Sequence, residues 1–463
     1  MISTTKLVCV QGLGFVGSAM AVAVALATNE DKSPMYDVIG VDLPNNEGNK
    51  RVNSINEGVF PFATSDENLS KSIKKVSNQG NLKATTDSSI YANADIIIVD
   101  IHLDIQYLDD QPNLEFENFK SAIRTIGKQV KKETLILIET TVPPGTCEKV
   151  VVPVLRDELN KRNIKLDNIH IAHSYERVMP GKDYLKSITD YWRVFSGYSE
   201  TAANICEEFL NNIINTQKFP LTRLSSTIAS ETAKVMENTY RAVNIAFIDE
   251  WTKYAESIDI DLFEVLDAIR KRPTHSNIRF PGLGVGGYCL TKDPTFAPAA
   301  ASQLFNKNLH FPFSRMAVKI NHDMPLHTVS RLKSLMNGSI YGKKILVCGV
   351  SYRQDVGDTR YSPSEILVRE MMTQGSDVIC HDPYLTYWDE LSISLLKKLP
   401  SFLDFDAIIF AVAHTHYRDL DLSSSIRQGS IVLDANGVFT REQRESAREN
   451  NVIVESIGRG DGL

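Results

Sequence analysis

The chain has 463 residues, too many for one hydrophobic core, which predicts two or three domains. Its 43% hydrophobic and 23% charged residues are typical of a soluble globular protein, and no apolar run is long enough to span a bilayer. A net charge of −7 argues against binding to nucleic acid or to an anionic membrane surface.

Continuous β-branched runs predict strands that are buried on both faces of a parallel sheet. Near the N-terminus these runs are KLVCVQG from Lys6, YDVIGVD from Tyr36, ADIIIVD from Ala94 and TLILIET from Thr134. Near the C-terminus they are KKILVCGV from Lys343, SDVICHD from Ser376, FDAIIFAVA from Phe405 and SIVLDAN from Ser430. Helical patterns separate the runs, so the sequence predicts an α/β fold with two Rossmann-like, doubly wound domains.

A long helical segment lies between these two groups of strands. It covers about Thr227 to Arg272, and Asp261 predicts the cap of a following helix. We therefore predict a Rossmann domain at 1–215, a central helical domain at 216–325 and a second Rossmann-like domain at 326–463. So long a helix is expected to pack along much of its length, which favours a homodimer.

The six cysteines stand singly, without the spacing of a disulfide framework. Cys9, Cys348 and Cys380 lie in apolar runs that predict buried, inert thiols. The N-terminus shows no cleavable signal pattern. Together these features predict a reducing, cytoplasmic location.

A glycine pattern typical of dinucleotide binding follows the first predicted strand and opens a helix. Its residues are Gly12, Gly14, Phe15, Val16 and Gly17. The first glycine permits a tight turn, the second lets the backbone approach a pyrophosphate, and the third allows close helix packing. The second strand ends at Asp42, whose carboxylate can bond ribose hydroxyls and would repel a 2′-phosphate. The sequence therefore predicts NAD rather than NADP as the cofactor.

The stretch GVGGYCLTKDP, residues 284–294, places Cys289 after a cluster of glycines and beside charged residues. Such a thiol is a candidate nucleophile, since the glycines let another molecule come close to it. On the long helix, Lys234 and Asn238 are four residues apart among apolar positions, so they share a face that is expected to be buried. A buried lysine needs a partner or a chemical task.

Polar residues end two predicted strands at the carboxyl edge, where open α/β sheets bind ligands. Thr141 follows Glu139 after TLILIET, and Glu176 and Arg177 follow the strand IHIAHSY. Taken singly, each of these residues is equally well explained as an ordinary polar strand end.

Motifs in order along nearly the whole chain resemble the UDP-glucose/GDP-mannose dehydrogenase family, the NAD-dependent nucleotide-sugar 6-dehydrogenases. The motifs are GLGFVG, TTVPPGT, YERVMPG, ETAKVMENTYRAVNIAF, GVGGYCLTKDP and GVSYRQDVGDTRYSP. The resemblance implies oxidation of the C6 hydroxymethyl of a UDP-sugar to a carboxylate, with two NAD used in sequence. It also implies that polysaccharide precursors are the products.

The resemblance gives the nucleophile position to Cys289, which would hold the intermediate as a thiohemiacetal and then as a thioester. Lys234 would stabilise developing oxyanions, with Asn238 assisting. Asp293 would orient water and the lysine. Glu176 would be the general base of thioester hydrolysis, and Thr141 would hold a water beside the cofactor.

On the substrate side the resemblance implies contacts from Lys234, Asn238 and the residues Arg177, Gly286, Gly287, Tyr288, Arg353 and Arg360. Arg353 stands where the family usually has lysine, and Arg360 belongs to its Asp-x-Arg motif. Arg177 is typical of members that oxidise 2-acetamido sugars, which favours UDP-N-acetylglucosamine or UDP-N-acetylmannosamine. The motif CLTKD is closer to the glucose type, so UDP-glucose remains an alternative.

The chain also departs from the family pattern. The segment VDIHLDIQYLDDQPNL, residues 99–114, replaces the usual Val-Pro-Thr-Pro and is expected to reshape the nicotinamide pocket. Tyr175 replaces a usual proline, and Tyr288 stands where acetamido-sugar members often have histidine.

Two other functions remain open, a nucleotide-sugar-binding protein without chemistry and a two-electron hydroxyacid dehydrogenase. The first would not need the candidate catalytic residues together, and the second would need neither the thiol nor a second α/β domain. His414 and His416 offer two metal ligands without a third, so we predict no metal site.

Overall fold

The computed structural model describes residues 5–108, 111–422 and 426–460. The chain forms two compact units. Unit 1 comprises Met1–Glu237 and Thr295–His310, and unit 2 comprises Asn238–Pro294 and Phe311–Leu463. Unit 1 contains a mostly parallel sheet and unit 2 a parallel sheet, which confirms the predicted α/β class.

The strands of unit 1 are β1 (Lys6–Gln11), β2 (Tyr36–Val41), β3 (Leu82–Thr85), β4 (Ile96–Val99), β5 (Asp104–Leu108), β6 (Gln111–Glu115), β7 (Leu135–Ile138), β8 (His170–Tyr175), β9 (Val194–Gly197) and β10 (Thr222–Arg223). Those of unit 2 are β11 (Lys344–Cys348), β12 (Asp377–His381), β13 (Tyr387–Trp388), β14 (Ile393–Ser394), β15 (Ala407–Phe410), β16 (Ile431–Asp434) and β17 (Ile453–Ser456). All eight strands read from β-branched runs are present.

The helices are α1 (Phe15–Ala25), α2 (Asn46–Asn56), α3 (Glu67–Gln79), α4 (Glu117–Gln129), α5 (Val152–Lys161), α6 (Lys186–Thr189), α7 (Glu200–Asn211), α8 (Thr227–Ser257), α9 (Leu262–Arg270), α10 (Phe296–Gln303), α11 (Pro312–Leu335), α12 (Pro363–Thr373) and α13 (Arg441–Glu449). Throughout the described ranges, none of them combines the length and apolar character needed to cross a bilayer.

The eight-stranded sheet of unit 1 has the order β10-β9-β8-β7-β4-β1-β2-β3. Its pairs are parallel except β8 with β9, so β9 and β10 run against the other six strands. Strands β4 and β7 are buried along their whole length, as expected of a sheet covered on both faces. Because the chain passes from β1 to β2 on one side and returns to β4 on the other, the topological switch point lies between β1 and β4.

The five-stranded parallel sheet of unit 2 has the order β12-β11-β15-β16-β17. Strands β11, β15 and β16 form its buried centre, in a register that places Val347 opposite Ile409 and Ile409 opposite Leu433. Cys348 and Cys380 are buried in this sheet and Cys9 in the sheet of unit 1, as predicted.

The predicted long helix is present as α8, which spans 31 residues. The backbone leaves the helix at Asp259, where φ is +59°. The carboxylate of Asp261 then accepts the backbone N–H of Phe263 at 2.8 Å and so begins α9 as an N-cap.

The segment after β4 holds a hairpin that the sequence did not indicate. Strands β5 and β6 pair antiparallel, with Asp104 opposite Glu115. The side chain of Gln303 secures the hairpin by bonding Leu114 N–H at 3.0 Å and Pro112 carbonyl at 3.1 Å. Residues 109 and 110 of the unusual segment lie outside the described residues.

Candidate active site

The glycine loop after β1 has the geometry that its sequence predicts. Gly12 adopts φ +93°, a conformation that favours glycine, and donates its N–H to Val41 carbonyl at 2.9 Å. A Cβ on Gly17 would lie 1.9 Å from Gly12 carbonyl oxygen, so only glycine fits there. A Cβ on Gly14 would meet nothing within 4 Å, so the start of α1 is open to an approaching phosphate.

Phe15 and Val16 form the first turn of α1 and are partly buried. The ring of Phe15 stacks on Phe62 at a centroid distance of 4.0 Å. The hydroxyl of Tyr184 donates to Phe15 carbonyl at 2.6 Å. These contacts hold the beginning of the helix, and with it the glycine loop, in place.

Asp42 lies directly after β2 with its side chain only 6% exposed. Its carboxylate accepts Arg51 Nε at 2.7 Å and Arg51 Nη2 at 3.2 Å. It also accepts the backbone N–H of Leu43 at 2.7 Å and that of Leu13 at 3.3 Å. Arg51 was not singled out in the sequence, since it lies nine residues from Asp42 on α2. The ion pair of Asp42 and Arg51 therefore lies where the ribose of the cofactor is expected.

Asp42→Ala is expected to weaken NAD binding by about tenfold or more, because a hydrogen bond to a charged group contributes about 1.5–3 kcal/mol. It should also narrow the preference for NAD over NADP, since Arg51 would be released to bind a 2′-phosphate. Dissociation constants for both cofactors measure the effect, with Asp37→Ala on the exposed side of β2 as the control. An unchanged NAD/NADP ratio would show that Asp42 does not contact the ribose.

Lys234, Tyr175 and Glu176 form a cluster in unit 1. The side chain of Lys234 is 7% exposed, as predicted for a lysine among apolar neighbours. Its Nζ donates to Glu176 carbonyl at 2.7 Å, stands 3.9 Å from Glu176 Oε1 and lies 5.2 Å from the ring centroid of Tyr175. The ammonium is therefore held by a carbonyl, a carboxylate and an aromatic face.

Arg177 is engaged within the same unit. Its guanidinium makes a two-pronged contact with Glu237, at 3.1 Å from Nε and 2.9 Å from Nη2, and packs over the ring of Tyr175 at 5.2 Å. Burial is the main reason that the pKa of Tyr175 rises to about 12, so this phenol stays neutral. Glu237 was missed in the sequence. Thr141 lies two residues after Glu139, past the end of β7, and is partly buried.

The loop of Cys289 is built within unit 2. Cys289 is exposed, and its carbonyl accepts the N–H groups of Lys292 and Asp293 at 3.2 and 2.9 Å. Asp293 is 1% exposed and accepts Asn238 Nδ2 at 2.7 Å and Lys292 Nζ at 3.0 Å. Asn238 and Asp293, predicted from separate segments, are thus brought together. All five other cysteines are buried.

Gly286 and Gly287 lie against Tyr352. A Cβ on Gly286 would come within 2.8 Å of Tyr352 Cβ, and Gly287 adopts φ +80° beneath the Tyr352 ring. The glycines are therefore required by this close packing, a reason that the sequence did not provide. Tyr288 packs its ring 4.2 Å from Lys292 Nζ and 6.1 Å from the ring of Tyr361.

The two arginines that the sequence predicts to contact the substrate, Arg353 and Arg360, lie after β11. Arg353 is exposed. Arg360 bonds Asp358 through Nε at 3.0 Å and Nη2 at 2.8 Å, and its side chain is 53% exposed. The Asp-x-Arg motif therefore acts as a local ion pair that presents a guanidinium to solvent.

Glu231 is a buried acid that the sequence analysis did not single out. Its carboxylate accepts the backbone N–H of Gly145 at 2.5 Å and that of Cys147 at 2.8 Å, so it ties α8 to the PPGT loop. Burial raises its pKa to about 7. The signal for it was present, because Glu231 precedes Lys234 and Asn238 by three and seven residues on one helical face.

No group of three or more His, Cys, Asp or Glu side chains within the described ranges could hold a metal ion. His414 Nε2 lies 3.1 Å from Asp382 Oδ2, and its Nδ1 accepts the N–H of Asp355 at 2.9 Å. Both imidazole nitrogens are thus used by structural hydrogen bonds.

Three sequence profiles match the chain in order. They describe the NAD binding domain (residues 6–214), the central domain (228–323) and the UDP binding domain (346–441) of the UDP-glucose/GDP-mannose dehydrogenase family. The chain belongs to this family. It is therefore an NAD-dependent nucleotide-sugar dehydrogenase, as the sequence motifs predicted, and the open glycine loop fits the cofactor.

Named relatives cover nearly the whole chain. UDP-N-acetyl-D-mannosamine dehydrogenase of Methanocaldococcus jannaschii is 33% identical over 444 residues, covering 94% of this chain and 93% of the relative. The solved structure of UDP-D-ManNAc dehydrogenase from Pyrococcus horikoshii matches with a TM-score of 0.82 at 27% identity, covering 98% and 100%. NDP-N-acetyl-D-galactosaminuronic acid dehydrogenase from Methanosarcina mazei Go1 matches at 0.81 and 25%, covering 99% and 97%.

Proposed function

We propose that this dehydrogenase oxidises the C6 hydroxymethyl of UDP-N-acetyl-D-mannosamine to the uronic acid, in two NAD-dependent steps that pass through covalent intermediates on Cys289. The substrate is favoured by the name of the 33% identical relative and by Arg177 in ERVMPG. The observation that carries the mechanism is the exposed Cys289 on a loop fixed by the buried Asn238–Asp293 hydrogen bond.

The chemistry needs a group that retains the half-oxidised sugar. The first oxidation removes a hydride from C6 and a proton from its hydroxyl, which gives an aldehyde. Addition of the Cys289 thiol gives a thiohemiacetal, loss of a second hydride from C6 and of the hydroxyl proton gives a thioester, and water releases the acid and the thiol. Bound NAD accepts the hydride at each oxidation. The exposure of Cys289 suits this task, whereas burial makes the other five thiols unsuitable.

The charged residues of the site take the remaining roles. Lys234 stabilises the oxyanions that develop on the C6 oxygen, and Asn238 assists it. Asp293 orients Asn238 through their 2.7 Å hydrogen bond. Glu176 serves as the general base for thioester hydrolysis, and Thr141 holds the water. The 3.9 Å distance between Glu176 Oε1 and Lys234 Nζ supports a site that contains both side chains.

The UDP-sugar is held by Arg353, Arg360 and the loop of Gly286, Gly287 and Tyr288. The exposed guanidinium of Arg360, steadied by Asp358, suits a diphosphate oxygen. Arg177 contributes to selection of the acetamido sugar, either directly or by fixing Tyr175 and Glu237.

Incubation with a panel of UDP-sugars tests this proposal. Acid is expected only, or fastest, from UDP-N-acetylmannosamine, with two NADH formed for each sugar consumed. UDP-N-acetylglucosamine and UDP-glucose serve as matched alternatives. A preference for UDP-glucose would correct the substrate, one NADH per sugar would indicate a two-electron dehydrogenase, and no turnover with any sugar would support a binding protein.

A homodimer through the central helix is part of the proposal. Within unit 2, α8 and the residue that follows it expose an apolar stripe at helical spacing, with 42–54% of each residue accessible to solvent in the separate chain: Tyr240, Phe247, Trp251, Tyr254 and Ile258. Large contiguous apolar surfaces of this kind mark protein contacts. The three-part division at about 215 and 325 and the cytoplasmic location remain predictions.

Trp251→Glu is expected to convert a dimer into a monomer, because it places a charge in the middle of this stripe. Light scattering should give about twice the chain mass of 51.7 kDa for the unaltered protein and about one chain mass for the variant. Glu250→Gln, which alters a neighbouring exposed residue of α8 outside the stripe, is the control. A monomeric unaltered protein would exclude the dimer.

A further inference from the structure

Two acids lie side by side at the carboxyl edge of the sheet in unit 1. Asp100 directly follows β4 and Glu139 directly follows β7, and these strands are neighbours. A Cβ on Gly17 would lie 3.2 Å from Asp100 Cβ, and one on Gly12 would lie 2.5 Å from Asp100 carbonyl oxygen. Asp100 therefore packs directly against the dinucleotide loop.

The sheet order tells which half of the cofactor these acids face. Asp42, directly after β2, marks the adenosine half, and the start of α1 is where the pyrophosphate is expected. Strands β4 and β7 lie on the opposite side of β1 from β2, so they carry the nicotinamide half. Asp100 and Glu139 accordingly stand under the nicotinamide half of the site.

If both carboxyl groups were ionised, one buried oxygen of each would lack a hydrogen-bond donor. Glu139 is fully buried, and Arg193 Nη1 donates to its Oε1 at 2.5 Å. Glu139 Oε2 and Asp100 Oδ2 are buried and receive no donor from any other described residue. Val99 pairs with Ile138 in the register of β4 and β7, so the two acids that follow these residues are neighbours at the strand ends, and a carboxylate has no proton to donate to the other. Two ionised groups therefore cannot bond each other here, whereas a pair that holds one proton can.

The charges around the pair agree with this arrangement. Burial, and then the negative charge of Glu139, raise the pKa of Asp100 well above its usual value. Glu176 adds a second negative charge, and the buried Arg193 supplies the positive one. The thiol of Cys206 on α7 also faces Arg193 and Glu139, and burial raises its pKa. With Asp100 protonated, Asp100, Glu139 and Arg193 together have no net charge.

We propose that the Asp100–Glu139 pair responds to the charge of the nicotinamide ring: it carries one proton when the ring is absent or reduced and gives that proton to solvent when the oxidised ring binds. The oxidised ring is cationic, so it favours the ionised pair, whereas the reduced ring is neutral and does not. The pyrophosphate charge is the same in both forms of the cofactor and cancels from their comparison.

The proton balance of the reaction closes with this pair. Oxidation of the alcohol sends a hydride to the nicotinamide and releases one proton from the hydroxyl. As the ring becomes neutral, the pair takes up one proton, so the oxidation itself releases none to solvent at that stage. The proton leaves the pair when reduced cofactor is exchanged for oxidised cofactor. Asp100 and Glu139 are positioning residues in this account, because they act through the charge beside the ring.

The test compares the affinities of NAD and NADH for the full-length protein without sugar. Their dissociation constants are measured from about pH 5.5 to 9.5, and titration calorimetry in two buffers of different ionisation enthalpy counts the protons released. Since the oxidised ring favours the ionised pair, the ratio Kd(NADH)/Kd(NAD) should rise with pH, by at most about tenfold per unit. It should level off once the pair is ionised in the protein without cofactor.

Asp100→Asn should abolish this slope and the proton release upon NAD binding, because the amide cannot ionise. Glu139→Gln is a second variant in case the first does not fold, and Asp37→Asn at the exposed position of β2 should keep the unaltered behaviour. A ratio independent of pH in the unaltered protein, or a slope retained in a folded Asp100→Asn variant, would overturn the proposal. The inference rests on NAD binding alone, so it can fail or hold independently of the sugar substrate and of Cys289.

Discussion

Cys289→Ser is expected to lower the rate of acid formation by about a thousandfold or more, because a serine hydroxyl is a far weaker nucleophile at neutral pH than a thiolate. The variant should still bind NAD, since the glycine loop and Asp42 belong to other segments of the chain. Acid is measured by chromatography and NADH by its absorbance. The two measurements together distinguish a variant that stops after the first oxidation from one that carries out neither oxidation.

The matched control for this variant is Cys380→Ala in β12. Cys380 lies in the same unit, is 2% exposed, and burial raises its thiol pKa to about 12, so it is not a nucleophile. The control should retain most of the activity. An acid yield from Cys289→Ser equal to that of the unaltered enzyme would remove the thiol from the mechanism.

Lys234→Met is expected to lower kcat by about a hundredfold to a thousandfold, which is the usual effect of removing one group that stabilises a developing oxyanion. Methionine keeps much of the length and apolar character of the side chain, so the buried position stays filled. The effect should fall on kcat more than on KM, because the interaction strengthens as the oxyanion develops.

The control is Lys253→Met on the same helix. Lys253 pairs with Asp249 at 2.6 Å, and its side chain is about half exposed, so its loss should change kcat little. Equal losses in the two variants would indicate damage to α8 rather than chemistry. A Lys234→Met variant with normal kcat would exclude the lysine from catalysis.

The elements with strong local patterns were predictable from the sequence. Uninterrupted β-branched runs predicted β1, β4, β7 and the central strands of unit 2, and a helical pattern without Pro or Gly predicted α8. The strands that were missed lack a continuous apolar run, such as β3, whose residues LKAT alternate between buried and more exposed, and β10, which has only two residues. The antiparallel direction of β9 depends on the path of the chain between β8 and β9, which no local sequence pattern indicates.

The candidate site was predictable residue by residue but not pair by pair. The sequence indicated Lys234, Glu176 and Asp293 through motifs, whereas their contacts depend on the fold. Arg193 lies 54 residues from Glu139, and the two meet only because β9 pairs beside β8. The Asp100–Glu139 contact likewise requires that β4 and β7 be neighbours.

Mass spectrometry of the enzyme during turnover detects the covalent intermediate on Cys289 directly. The full-length protein is mixed with NAD and UDP-N-acetylmannosamine, quenched in acid at short times and digested. We expect the sugar nucleotide, at the acyl level of oxidation, on the peptide that contains Cys289, and its disappearance as acid is formed. Acid formation at the full rate with no adduct on that peptide at any time would contradict the account.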